Sequence, residues 1–163
     1  MDEASDELQI KFRQVYYSRC AAADQMMGLI LTQFARYGDA DNTYTLFVSD
    51  HGEDNTEHRM TGKFTMYEAS ARVPMILTGP GISPGTVVHK LASLFDVYPT
   101  VLDVLGLEVA AAAGKLAGAS VLPLAQKRPT TDRKDYIVVE YHCEPRPSSR
   151  TLFAPALATF GPN

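Results

Sequence analysis

Residues 45–63 read TLFVSDHGEDNTEHRMTGK. The stretch opens inside a run of apolar and β-branched residues, Tyr44-Thr45-Leu46-Phe47-Val48, with Asn42 before it and Gly52 after it. A short run of this kind between turn residues is the pattern of a buried strand in a parallel sheet rather than of a helix segment. Ser49, Asp50, His51 and Gly52 follow at once. In open α/β sheets, ligands gather where the chain leaves the carboxyl ends of the strands. A carboxylate and an imidazole side by side there can reach one cation, and glycine lets the backbone turn away sharply. The loop then adds Glu53, Asp54, Glu57 and His58, and Lys63 follows Gly62. An anion bound at such a metal would find a positive partner in Lys63. Taken without its flanks, Asp50 could equally cap the next turn while His51 stands in solvent. Glu53, Asp54 and Glu57 read most simply as a solvated loop.

Outward toward the N-terminus, Ser5 is placed to cap a helix with Asp6 and Glu7 in its first turn. Phe12, Tyr16, Cys20, Ala23, Met27, Ile30 and Phe34 recur at steps of three and four, one apolar face of a helix over 6–37. Gly38 is its stop. Cys20 on that face reads as a small core residue, and the aromatic and Met stripe as core packing. Outward toward the C-terminus, a helical turn is expected at 66–70 and a second strand at 75–78, which Pro74 opens. Val87 to Ala92 is a strand or an extended link. A helix capped by Ser93 or Asp96 runs to Leu105 and stops at Gly106. Val109 to Ala119, with four alanines in succession, reads as a flexible connection. A short apolar helix or turn is expected to begin at 120–126, and a strand at 136–141. Beyond Pro145 the composition turns to Pro, Ser and Ala without a readable pattern.

The chain has 163 residues, 45% of them apolar and 21% charged, enough for one domain with a sizeable core. A net charge of −4 argues against nucleic acid or an anionic membrane surface as the main partner. No apolar run approaches the roughly 20 residues of a membrane span. The opening MDEASDELQ is acidic and lacks a hydrophobic centre, so it is not expected to be a signal peptide. Cys20 and Cys143 offer neither a metal spacing nor a disulfide framework. His142 beside Cys143 lacks the partners a zinc site needs. His89 reads as a surface residue, and Arg72 as a brace of the loop by salt bridge.

The motifs come in a telling order: SDHGE at 49–53, EH at 57–58, GK at 62–63, then MYEASARVPMILTGPGI at 66–82, SLFDVYPTVLDVLGL at 93–107 and LAGASVLPLAQ at 116–126. Over Val15 to Leu124 this resembles the C-terminal half of the catalytic domain of sulfatases, in the alkaline-phosphatase-like superfamily, and within it the arylsulfatase K and iduronate-sulfatase-like branch. The family's D-x-x-x-G-x-L helix is matched loosely by Asp24, Gly28 and Ile30. The resemblance implies an α/β alkaline-phosphatase-like sheet sandwiched by helices, incomplete here. Residues 1–126 would be a partial catalytic domain, and 127–163 the start of a C-terminal subdomain with a divergent tail. Asp50 and His51 fall on the paired divalent-metal ligands, with Ca²⁺ the usual metal. Lys63 falls on the lysine that contacts the sulfate, and His58 on a substrate-side histidine. The implied substrate is a sulfate ester, including sugar sulfates, and the implied location is lysosomal or secreted.

The family's nucleophile is a formylglycine made in a C/S-x-P/A-x-R motif, and no such motif stands in this sequence. Cys143-Glu144-Pro145-Arg146 places its arginine one position early, and Cys20 is followed by alanines. The paired aspartates of an N-terminal strand and the upstream histidine and lysine have no counterpart either. The 163-residue chain alone is therefore expected not to turn over substrate. Two other readings stand beside the sulfatase: a phosphodiesterase or phosphonate monoesterase of the same superfamily, and a non-catalytic fragment acting as a binding module.

Overall fold

The structure is a computed structural model that describes residues 5–107, 116–130, 135–141 and 156–160. The first helix, α1, spans Asp6–Tyr37. Its start is set locally: Ser5 is extended, and its Oγ accepts the Leu8 N–H at 3.3 Å. Asp6 and Glu7 place negative charge on the positive end of the helix dipole. Its end is closed by the Gly38 N–H, which donates to the Phe34 carbonyl at 2.7 Å.

The sequence expected the apolar face of α1 to be core, and here the structure differs. None of its residues is buried. Of the expected stripe, Tyr16, Met27 and Phe34 are half-buried, while Phe12, Cys20, Ala23 and Ile30 are exposed. The reason is one of area. A helix of 32 residues is about 48 Å long at about 1.5 Å per residue. The strands β1, Thr45–Val48, and β2, Met75–Thr78, have 4 residues each and are only about 13 Å long.

The two strands are neighbours in one two-stranded sheet. By contacts the chain divides into two compact units, one of residues 1–43 with 47–76 and the other of 44–46 with 77–163. In the first, β1 leads through a long loop to a single helical turn, α2, Glu68–Ala71. In the second, the turn after β2 is shaped by glycine. Gly79, at φ +150°, lies against the Tyr44 ring, where a Cβ would collide. The Tyr44 hydroxyl donates to the Pro80 carbonyl at 2.8 Å.

The expected helix at 96–105 forms as a 3-10 turn, Leu94–Asp96, followed by α3, Val97–Val104. Ser93 and Asp96 make a reciprocal capping box at its start. Residues 87–92 form a link without strand pairing. Then α4, Leu122–Ala125, is laid against α3 through polar groups. The Thr100 hydroxyl, on a residue only 2% exposed, donates to the Asp96 carbonyl at 2.6 Å and accepts from the Val121 N–H at 2.9 Å. The Asp96 carboxylate, also buried, accepts from Ser93 N–H and Ala119 N–H. Pro99, Val121 and Leu122 are buried apolar residues among those described.

The last pair of strands is β3, Ile137–Tyr141, and β4, Ala156–Phe160, antiparallel with Ile137 opposite Phe160 and Tyr141 opposite Ala156. The composition beyond Pro145 gave no sign of β4. Residues 109–115 of the expected flexible connection, and His142 to Arg146 with Cys143, lie outside the described residues.

Candidate active site past the first strand

The first unit carries all four expected site residues. Where β1 ends, the chain is pinned twice. The Ser49 hydroxyl donates to the His51 carbonyl at 2.8 Å, and the Gly52 N–H donates to the Ser70 carbonyl at 2.8 Å. Gly52 passes so near the Ala69 carbonyl oxygen that a Cβ would overlap it. The turn thus holds Asp50 and His51 at the strand's carboxyl end, where an α/β fold presents its ligands.

Asp50 is open to solvent, its side chain 83% exposed, and His51 is partly covered at 38%. Asp50 Oδ1 accepts the His51 N–H at 3.0 Å, and its Oδ2 lies 3.4 Å from His51 Nε2. His51 Nδ1 is 2.8 Å from the Gly52 carbonyl, which can only accept, so Nδ1 carries the proton. Lys63 Nζ stands 2.6 Å from Nε2. An ammonium can only donate, so Nε2 offers its lone pair to it. The Lys63 backbone is held by the hydroxyl of buried Ser70, which donates to the Lys63 carbonyl at 2.5 Å.

These positions answer whether a divalent cation fits. A carboxylate oxygen and an imidazole lone pair converge and the tautomer suits ligation, although the Lys63 ammonium on that lone pair would have to withdraw for a metal to bind. The Gly52 carbonyl is the kind of partner that orients a ligating histidine. No group of three or more His, Cys, Asp or Glu suited to a metal occurs among the described residues. Asp50 and His51 thus fit as part of a coordination shell, since Ca²⁺ takes six to eight, mostly oxygen, ligands.

The loop that follows is built on one buried and one half-buried acid, contrary to the expectation of a solvated stretch. Glu53 Oε1 accepts from the Gly62 N–H at 2.5 Å and the Asn55 N–H at 3.2 Å. Asp54 is 0% exposed, and its carboxylate accepts the Thr65 hydroxyl at 2.9 and 3.0 Å. Only Glu57 of the three acids is exposed. With its base closed this way, the loop tip is forced into a tight path. Asn55, Thr56, His58 and Arg59 all have positive φ, from +47° to +72°. For a β-branched residue such as Thr56 this is an outlier, and each such residue stores about 1–3 kcal/mol.

His58, at the tip, stacks on Tyr67 with ring centroids 3.8 Å apart and planes 18° from parallel. Arg13 of α1 reaches the same segment: its Nε donates to Thr56 Oγ1 at 2.7 Å and to the Asn55 carbonyl at 3.2 Å. One turn along α1, burial pushes the Tyr16 phenol above its ordinary value, with Cys20 and then the Glu53 charge adding to the shift. The structure therefore joins Asp50, His51 and Lys63 directly and sets His58 on Tyr67. Arg13, Ser70 and Tyr67 were not singled out in the sequence, and Glu53 was read only as a solvated acid. Arg13 acts across 43 positions and leaves no local pattern. Arg72 pairs with Glu68 at 3.3 Å on an exposed face, a brace of α2 rather than of the loop. His89 is exposed, as expected.

Comparison with known proteins adds a family to this geometry. The sulfatase family model matches residues 2–107. Arylsulfatase K of Rattus norvegicus is 38% identical over 136 residues, which is 80% of this chain and 24% of the relative. Arylsulfatase K of Homo sapiens is 38% identical over the same length, 80% of this chain and 25% of the relative. The chain spans about a quarter of the length of the curated relatives it matches. Among solved structures, the phosphonate monoester hydrolase of Agrobacterium radiobacter superposes with a TM-score of 0.81 at 27% identity, covering 90% of this chain and 29% of that one. The phosphonate monoester hydrolase of Silicibacter pomeroyi gives 0.79 at 30% identity, covering 85% and 27%. A protein solved with its substrate D-glucosamine-2-N,6-O-disulfate gives 0.74 at 27% identity, covering 87% and 28%.

Proposed function

This chain belongs to the sulfatase family, and from that membership we propose that it supplies part of the active site of a sulfuric ester hydrolase. Its fold is the α/β, alkaline-phosphatase-like one of its structural neighbours, present in part. The observation that carries the reading is the convergence of Asp50, His51 and Lys63 just past β1. Asp50 and His51 would hold a divalent metal, Ca²⁺ in this reading. When bound, such an ion neutralises negative charge on the nonbridging oxygens of the ester.

The chain's own residues position and polarise the rest. Lys63 stands 2.6 Å from His51 Nε2, and with a metal on that lone pair it would release the hydrogen bond and turn its three N–H groups to an anion beside the ion. In this reading its positive charge would offset the charge that develops as the ester bond breaks. The Gly52 carbonyl holds the His51 proton on Nδ1, so Nε2 faces the cation. His58, on its Tyr67 platform, would line the substrate side. Sugar sulfates are the substrate class this reading favours, and residues 1–126 are its catalytic portion. A lysosomal or secreted location accords with the arylsulfatase K relatives. No described helix is long and apolar enough to cross a membrane.

Reconstitution tests it. The 163-residue chain is joined to, or mixed with, the N-terminal part of a sulfatase catalytic domain and assayed on an aryl sulfate with Ca²⁺. Lys63→Ala is expected to lower the rate about 10²–10³-fold, and Asp50→Ala to abolish metal-dependent turnover. A second reading, phosphonate monoester hydrolysis, is favoured by the two hydrolase structures that superpose at 0.81 and 0.79. Faster turnover of an aryl phosphonate monoester than of the aryl sulfate would establish it instead.

A further inference from the structure

Four residues of a five-residue segment, 55–59, sit in left-handed backbone conformations, none of them glycine. Such a segment persists only where its surroundings over-determine it. Backbone hydrogen bonds do part of this: Glu57 N–H to the Asp54 carbonyl at 2.7 Å, Thr56 N–H to the Met60 carbonyl at 2.8 Å, Arg59 N–H to the Thr56 carbonyl at 3.1 Å, and Met60 N–H to the Glu57 carbonyl at 2.8 Å. All of these are internal to the loop and would move with it. Besides the Tyr67 ring under His58, the side-chain tie from α1 among the described residues is Arg13. Its Nε meets Thr56 Oγ1 at 2.7 Å and the Asn55 carbonyl at 3.2 Å, the two positions that open the strained run.

We propose that Arg13 is a positioning residue for His58: from α1 it clamps Asn55 and Thr56, and so fixes the tip that sets His58 against Tyr67. A charged donor makes this hydrogen bond stronger than a neutral pair would. The arm is long, but α1 is a continuous helix with a closed start and end, so the clamp point does not drift with the loop. The substrate role of His58 rests on the reading given under Proposed function; the clamp itself does not.

The test uses the 163-residue chain without turnover. Amide hydrogen exchange of Thr56, Arg59 and Met60, and the ring-current shift that Tyr67 imposes on the His58 ring protons, are followed by NMR. Arg13→Met is expected to speed exchange at these three amides about tenfold or more and to collapse the His58 shift. Exchange of Ser70 N–H and of Gly38 N–H, both bonded away from the clamp, should stay as it was. Arg13→Lys, which keeps a charged donor without the same geometry, should fall between. Thr56→Ala reproduces the effect with α1 untouched, Thr56→Ser largely restores it, and Arg13→Met adds little on top of Thr56→Ala. Unchanged exchange and an unchanged His58 shift in Arg13→Met would overturn the proposal. If that variant disturbs α1 itself, Thr56→Ala decides alone, and an unmoved His58 there overturns it equally. A reconstituted enzyme that fails the sulfate assay, while the chain still loosens at 55–60 in these variants, would overturn the sulfatase reading and leave the clamp standing.

Discussion

At Gly52 the backbone runs against the carbonyl of Ala69 while its own N–H is committed to Ser70, so a methyl group there cannot be added without moving main chain. Gly52→Ala is expected to cost about 1–3 kcal/mol as an overpacked site, read as a fall in urea midpoint, and to separate Asp50 from His51. Asp54 makes the opposite case, a carboxylate with no exposure whose two oxygens both meet Thr65. Removing it in Asp54→Ala leaves that hydroxyl unpaired inside, at about 1–3 kcal/mol, whereas the exposed Glu57→Ala should change stability by no more than about 0.5 kcal/mol. Equal denaturation midpoints for the two alanine variants would refute the assignment. The sequence placed both acids on one solvated loop because nothing in GEDNTEH distinguishes an inward carboxylate from an outward one. Asp50 and His51 stood out in the sequence because they are adjacent where the strand ends, whereas Lys63, 12 positions on, was marked by the family resemblance.

Among elements, α1, β1 and β2 were legible within a residue or so, since capping at Ser5, β-branched runs and Pro74 act over a few positions. The α3–α4 unit was legible as two helices but not as a polar joint. Thr100 bridges them, closing the Asp96 carbonyl on one side and the Val121 N–H on the other. Thr100→Val keeps the shape and orphans a buried N–H, so the unit should lose about 1–3 kcal/mol. A calorimetric melt checks this, and a variant as stable as the parent would show that the joint is apolar after all. The strand β4 escaped because it is fixed by pairing with β3 across a connection of 14 residues, 142–155, and not by a pattern of its own.

Over the whole chain, apolar side chains of α1 stand in solvent. Leu8, Val15, Met26 and Leu29 share one face at steps of seven, eleven and three, and each is more than half exposed, Leu29 at 66%. Large apolar side chains repeated in solvent along one helix face offer an association surface. The isolated chain is expected to self-associate in sedimentation velocity, and Met26→Lys with Leu29→Lys to shift it toward monomer. A monodisperse parent chain would count against that face being adhesive.

The sequence by itself determined the bounds of α1, β1 and β2 to within about a residue, and it put Asp50 beside His51 past a strand. Those features rest on hydrogen bonds and periodicities that span a few residues. Only the tertiary structure decided which acids are buried, that Lys63 rests on His51, that Arg13 reaches Thr56, and that α1 leaves its apolar face open. Each of these depends on which distant backbone passes within hydrogen-bond reach, and a hydrogen bond fades within a few tenths of an ångström beyond its usual length.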